Sequence, residues 1–189
     1  MKFCSHCGSS RLDFRVPEGD TLPRYVCAAC ATIHYQNPKV VVGCLPVWDD
    51  RVLLCKRAIE PRLGLWTLPA GFLENGETLI AGALRETTEE AGARVDIGAL
   101  YTMISLPHIS QVYVMFRARL LDLNFAPGPE SLEVCLFDEE HVPWDRLAFR
   151  TIARTLRNYY LDRKLGEFSV HVSALEKRPV REPSLVASG

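Results

Sequence analysis

No stretch of this sequence is apolar for the roughly 20 residues that a membrane-spanning helix requires. Only Met1, Lys2 and Phe3 precede the first cysteine pair, too few for a secretory or transit segment. The chain also lacks an excess of one charge. Its formal net charge is -1 and its isoelectric point is near 6.5, so no whole-molecule field attracts nucleic acid or an anionic membrane. These absences predict a cytoplasmic protein without a membrane partner, in which any polyanion is held locally. What is present is ordinary for a globular chain: 48% hydrophobic residues support one catalytic-size core and a small added module.

Seven cysteines in a reducing compartment point to metal ligands or core residues rather than disulfides. Cys4 and Cys7 form one C-x-x-C pair and Cys27 and Cys30 another, with a separation suited to a four-cysteine zinc site. Gly8 supplies the backbone freedom that a tight turn around the first two sulfurs needs. Four thiolates leave Zn²⁺ no open coordination position, so the expected role is structural. His34 follows closely but is not needed as a ligand. Cys44, Cys55 and Cys135 lie in apolar, strand-like runs and are expected to be small core residues.

The pattern of apolar residues and turn signals predicts a hairpin of strands 40–48 and 51–57 joined by Asp49-Asp50. An extended segment over 65–73 leads into a helix beginning near Thr78. Further strands are expected at 94–105, 111–121 and 133–138, with a Pro/Gly-bearing loop at 126–131 between the last two. A second amphipathic helix is expected over 144–163, from the helical spacing of Ala148, Phe149, Ile152, Leu156, Tyr159 and Tyr160. The two helices would cover the two faces of a mixed sheet, an α/β fold. The expected domains are a zinc ribbon at 1–36, a catalytic domain at 37–176 and a disordered tail at 177–189.

In the first helix Ile80, Ala83, Leu84, Thr87 and Ala91 define a buried stripe, and Gly92 is a natural stop. Glu86, Glu89 and Glu90 fall within about a 100° arc beside that stripe. Like charges at these spacings, placed at the negative end of the helix dipole, are locally unfavourable. A solvated acidic face is one reading. The other is a cluster of hard oxygen ligands for Mg²⁺ or Mn²⁺.

The wider spacing supplies more. Gly71, five residues, Glu77, seven residues, then Arg85-Glu86-Thr87-Thr88-Glu89-Glu90-Ala91-Gly92-Ala93 resembles the Nudix box position by position, with Thr87 and Ala93 standing where larger aliphatic residues are usual. The segments Leu53–Arg57, Gly64–Gly71 and Phe125–Glu133, together with the ribbon, resemble the zinc-ribbon Nudix hydrolases related to plant chloroplast FAD and ADP-ribose pyrophosphatases. That resemblance implies an α/β/α Nudix sandwich and a metal-dependent hydrolase. Glu86, Glu89 and Glu90 would hold Mg²⁺ or Mn²⁺, Arg85 would orient glutamates, Glu77 would steady the helix, and the backbone around Gly71 would assist. It implies cleavage of FAD to FMN and AMP, with ADP-ribose as a second substrate, by a homodimer. NADH pyrophosphatases carry a Ser-Gln-Pro-Trp-Pro-Phe-Pro signature shortly after the box, where this chain reads Ser105-Leu106-Pro107-His108-Ile109-Ser110-Gln111, so NADH is the runner-up. A non-catalytic nucleotide- or RNA-binding module is the alternative from another class.

Lys56 and Arg57 are candidates to clamp the diphosphate, and Phe72, Tyr101 and Tyr113 to stack on a base or flavin. Glu130 and Glu133 are loop candidates for the general base, beside Glu86, Glu89 and a metal-bound hydroxide. Arg146, Arg150, Arg154 and Arg157 line one side of the second helix and are read as a solvated face or subunit contact, nucleic acid being an unlikely partner.

Overall fold

A computed structural model describes residues 1–177, which divide into two compact units, one spanning Met1–Pro38 and the other beginning at Lys39. The expected tail lies, from residue 178 onward, outside the described residues.

The N-terminal unit is a three-stranded antiparallel sheet of β1 (Leu12–Arg15), β2 (Arg24–Cys27) and β3 (Ile33–His34). Each cysteine pair sits in a turn built the same way. The Gly8 N–H donates to the Cys4 carbonyl and the Ala31 N–H to the Cys27 carbonyl, both at 2.9 Å. The residue after each pair is left-handed, Gly8 at φ 74° and Ala31 at φ 59°. The short C-x-x-C spacing allows this closed turn, which points two sulfurs inward.

The second unit is built on a mixed sheet. Its strands are β4 (Lys39–Trp48), β5 (Arg51–Arg57), β6 (Trp66–Thr67), β7 (Ala70–Phe72), β8 (Val95–Leu106), β9 (Gln111–Leu120), β10 (Ser131–Phe137) and β11 (His171–Ala174). The order is β10-β5-β4-β9-β8-β11, with β6 on β5 and β7 on β4. The central pair β4 and β9 is parallel, from Lys39 opposite Gln111 to Val47 opposite Arg119. The helices are α1 (Leu79–Ala91) and α2 (Arg150–Leu165).

Alternation along the strands assigns a helix to each face. Val42 and Cys44 of β4, with Val114 and Phe116 of β9, pack against Ala83 of α1. Leu45, Val52, Leu54 and Met115 point the other way, onto Ile152, Leu156, Tyr159 and Tyr160 of α2. This is the expected mixed-sheet sandwich. Among the described residues no helix is long and apolar enough to cross a membrane.

Several boundaries differ from the sequence expectation. The segment 65–73 is two short strands with Pro69, which has no N–H to give a ladder, between them. The second helix begins at Arg150, not Trp144; Pro143 and a separate one-turn helix at Trp144–Arg146 precede it. Strand β11, unforeseen, pairs parallel with β8 at the sheet edge. The buried stripe of α1 is rotated from the expected one. Ile80 is 46% exposed, while Glu86 and Glu90 are only 9% and 6% exposed.

Candidate active site

Thr78 caps α1, its hydroxyl accepting from the Ala81 N–H at 3.1 Å, and Gly92 ends it in the left-handed region at φ 58°. The turn leading into the helix is fixed by Glu77, whose carboxylate accepts from the Glu74 N–H at 2.7 Å and from Arg85 Nη2 at 2.8 Å. Arg85 is the hub of the arrangement. Its Nη1 donates to Glu86 at 2.7 Å and Glu89 at 3.0 Å, and its Nη2 reaches the Phe72 carbonyl at 3.1 Å. Arg85 thus contacts Glu77, Glu86 and Glu89, and Glu77 bonds the turn before the helix.

Glu90 takes a different partner, the Ala70 N–H of β7 at 3.0 Å. Gly71 beside it permits the close approach of strand and helix, since a Cβ there would run into the Glu86 carboxylate. Burial pushes the Glu90 carboxyl up to about 8, with the Ala70 hydrogen bond opposing and the Glu86 charge adding to the rise. Burial also raises Glu86, against the pull of Arg85.

These residues line a cleft of about 1170 Å³. Glu86, Glu89 and Glu90 form one wall with Gly71 and Phe72. The loop after β9 contributes Glu130; it is tied to the end of α1 by the Ala126 N–H donating to the Ala91 carbonyl at 2.9 Å and the Gly128 N–H to the Glu90 carbonyl at 3.1 Å. Arg57, Arg62 and the start of α2, from Ala148 to Thr151, form other walls, together with Tyr113, His108 and Gln111. Arg57 is held by the Pro61 carbonyl at 2.9 Å and lies 5.3 Å from the Phe149 ring centroid.

Not every expected residue reaches this cleft. Lys56 does not line it: neighbouring strand residues project to opposite sides, and Lys56 donates to Glu133 at 3.2 Å and lies over Trp66. Glu133 is accordingly outside the cleft, and Glu130 is the loop carboxylate within it. Tyr101 is also elsewhere, buried against α2 with its hydroxyl donating to Asp162 at 3.0 Å. Arg62, Arg150 and Glu130 are brought in by the fold from three separate loops and helix starts. Of these, only Glu130 was singled out for the site from the sequence.

The donor set suits a hard divalent cation: carboxylate oxygens, two of them buried, at a cleft. Among the described residues, however, the only three or more candidate ligands whose atoms all lie within 4.8 Å of one another are Cys4, Cys7, Cys27 and Cys30. The glutamates are spread between Arg85 and Ala70. The cysteines are free thiols, with Cys4 and Cys30 sulfurs 3.7 Å apart and Cys7 and Cys27 sulfurs 3.6 Å apart. Four thiolates placed tetrahedrally at 2.3 Å from an ion stand about 3.8 Å from one another. The buried His34 ring lies 3.3 Å from the Cys4 sulfur, beside the cluster rather than in it.

Comparison with known proteins agrees with this geometry. The NUDIX domain description matches residues 37–159 and the Nudix N-terminal zinc-ribbon description matches residues 2–36. A NUDIX hydrolase from Nitrosomonas europaea of known crystal structure is 61% identical, with a TM-score of 0.90 over 94% of this chain and 100% of that one. An ADP-ribose pyrophosphatase from Methanocaldococcus jannaschii is 31% identical over 61% of this chain and 69% of its own length. An NAD-capped RNA hydrolase from Vibrio atlanticus is 34% identical over 82% of this chain. The chain spans 56% of the length of that last relative. By domain match and by overall similarity, the chain belongs to the Nudix family and carries the zinc-ribbon domain found at the N-terminus of some of its members.

Proposed function

We propose that this protein is a Mg²⁺- or Mn²⁺-dependent pyrophosphohydrolase that cleaves FAD to FMN and AMP, and also hydrolyses ADP-ribose. The observation that carries the reading is the meeting of Glu86, Glu89, Glu90 and Glu130 at one cleft whose other walls bear Arg57 and Arg62. Burying Glu86 and Glu90 is costly for their charged forms, and a divalent cation bound there offsets that cost. Glu86, Glu89 and Glu90 would hold the ion, which supplies neutralisation of the diphosphate and a lowered pKa for the attacking water. Arg57 binds a non-bridging diphosphate oxygen, and Phe72, about half exposed at the cleft, offers a face to a ring of the substrate. Glu130 takes the proton of the attacking water. The new P–O bond forms as the bridging P–O bond breaks, leaving two phosphomonoesters. No thiol takes part, since no cysteine lines the cleft.

FAD is favoured over NADH by the sequence after the box, Ser105 to Gln111, which lacks the NADH pyrophosphatase signature. A second reading, NADH or an NAD-bearing substrate, is favoured by the likeness to NAD-capped RNA hydrolases over most of the chain. In the same proposal the cysteine cluster holds Zn²⁺ structurally, and the protein works in the cytoplasm as a homodimer, a state that light scattering measures.

Incubation with FAD, NADH and ADP-ribose in Mg²⁺ or Mn²⁺, with Glu90→Gln as control, tests the function through AMP release. FMN plus AMP from the wild type alone supports it. Binding of these compounds without AMP release in either metal would replace it with a binding module.

A further inference from the structure

The cleft has two kinds of lining, and β7 stands between them. The Ala70 N–H donates to Glu90 of the carboxylate wall, while Ala70 itself packs against Val41, Ile104, Leu106 and Tyr113. Of these, Val41, Leu106 and Tyr113 also line the cleft and give it an apolar floor. The cleft volume, about 1170 Å³, exceeds the roughly 300–1,000 Å³ of ordinary small-molecule pockets and leaves room for both halves of a dinucleotide.

The start of α2, from Phe149 to Thr151, lines the same cleft. First-turn N–H groups have no acceptor within a helix, and Phe149 at the N-cap offers them no side-chain oxygen; no acidic residue stands in that turn either. Beside them Thr151 is 2% exposed, and its hydroxyl is buried without a hydrogen-bond partner among the described residues. One turn further on, Thr155 is equally buried, but its hydroxyl lies 3.0 Å from that of Thr102 on β8. Tyr160, whose buried hydroxyl is also unpartnered, belongs to the core and does not line the cleft. A buried hydroxyl without a partner is unfavourable in the free protein. An uncapped helix start free of acids favours a group bearing partial negative charge. A helical threonine has two accessible χ1 rotamers, so the hydroxyl can turn toward a ligand in the cleft.

We propose that this part of the cleft binds the pyrimidine edge of the flavin, with the Thr151 hydroxyl and the first-turn N–H groups of α2 bonding its ring carbonyls and the apolar floor lying under the ring. That edge presents two carbonyl oxygens with an N–H between them. The oxygens carry the partial negative charge that the helix start favours, and a threonine hydroxyl can donate to a carbonyl or accept from the N–H. The amino edge of adenine presents a donor instead, which helix N–H groups disfavour. Thr151 is thereby a specificity-determining residue. The proposal rests on the FAD-hydrolase reading and deepens it, because FAD and ADP-ribose share the adenylyl half and differ in the group held here.

The test compares the whole protein with Thr151→Val, which removes the hydroxyl and keeps the branched shape. FMN and AMP binding is measured in Ca²⁺ by calorimetry, kcat/KM for FAD and ADP-ribose in Mg²⁺ by AMP release, and the ligand-free Tm by circular dichroism. The ligand-free Tm of the variant should equal or exceed that of the wild type, since no hydrogen bond is lost. FMN affinity relative to AMP, and FAD turnover relative to ADP-ribose, should each fall about five- to tenfold. A parallel loss for FMN and AMP, no loss for either, or failure of the wild type to bind FMN overturns the subsite. A lowered ligand-free Tm also overturns it, by showing that the hydroxyl is already bonded within the protein. Selective loss of FMN binding, with no AMP released from FAD by the wild type, leaves the subsite standing and sinks the hydrolase reading.

Discussion

At the scale of single residues, the site depends on how closely strand and helix approach. Gly71→Ala places a methyl group against the Glu86 carboxylate, the mobile end of a side chain rather than backbone. The fold should absorb it, with a loss of stability of about 1–2 kcal/mol, while turnover falls on the order of a hundredfold because a carboxylate proposed to hold the metal is displaced. Chemical denaturation and AMP release measure the two; lost stability with unchanged turnover would remove Gly71 from the site. Glu90 gives a pH dependence. Its folded-state carboxyl is raised by burial from about 4.5 unfolded to about 8, so its neutral form favours the fold. That stability is complete below about pH 4.5 and is lost as pH rises through about 8, by up to on the order of 5 kcal/mol. Metal-free protein should therefore become steadily less stable to urea across this window. Mg²⁺ should restore the loss at the alkaline end, and Glu90→Gln should flatten the slope; an equal slope in the variant would refute the assignment. The candidate residues Glu86, Glu89, Glu90, Arg85 and Glu77 could be grouped from sequence because one helix and its leading turn carry them all. Arg62, in an unmarked loop, and Arg150, grouped from sequence with the exposed arginines of the second helix, were not assigned to the cleft, and only the fold brings them there.

At the scale of elements, the ends of α1 were legible because capping is written in single residues, Thr78 and Gly92. Its buried face was misjudged because helical periodicity assigns the inside to apolar side chains. Here Ile80 faces out and two glutamates face in, an arrangement that propensity and hydrophobic spacing argue against and a functional cleft explains. The short strand β11 escaped for a related reason: four residues with a histidine and a serine among them give too little alternation to be seen. The cysteine turns were partly legible. Gly8 suits its left-handed position, but Ala31 occupies the equivalent position after the second pair at φ 59°. A non-glycine residue there costs about 1–2 kcal/mol, of which glycine returns part as unfolded-chain entropy. Ala31→Gly should therefore stabilise the zinc-loaded turn by about 0.5–1 kcal/mol, appearing as roughly threefold tighter zinc retention against a chelator. Weaker retention in the variant would show that the Ala31 methyl contributes packing that outweighs the strain.

At the scale of the whole chain, the seven cysteines divide by unit and by environment. Cys4, Cys7, Cys27 and Cys30 converge in the N-terminal unit, Cys44 and Cys55 are sealed in the sheet core, and Cys135 is half-buried on β10. The first unit has few large buried side chains, so an ion held by the four cysteines, as proposed, would supply binding free energy that is also folding free energy. The second unit has its own core on both faces of the sheet. Extraction of the ion should consequently affect the two differently. With a thiol reagent the intact protein should expose Cys135 alone. A chelator strong enough for zinc should add four rapidly reacting thiols and release one equivalent of zinc, while the tryptophan fluorescence of the second unit, from Trp48, Trp66 and Trp144, stays native. If the four thiols react at once in the untreated protein, no ion closes the turns. If instead their release quenches the fluorescence, the second unit does not keep its fold without the first.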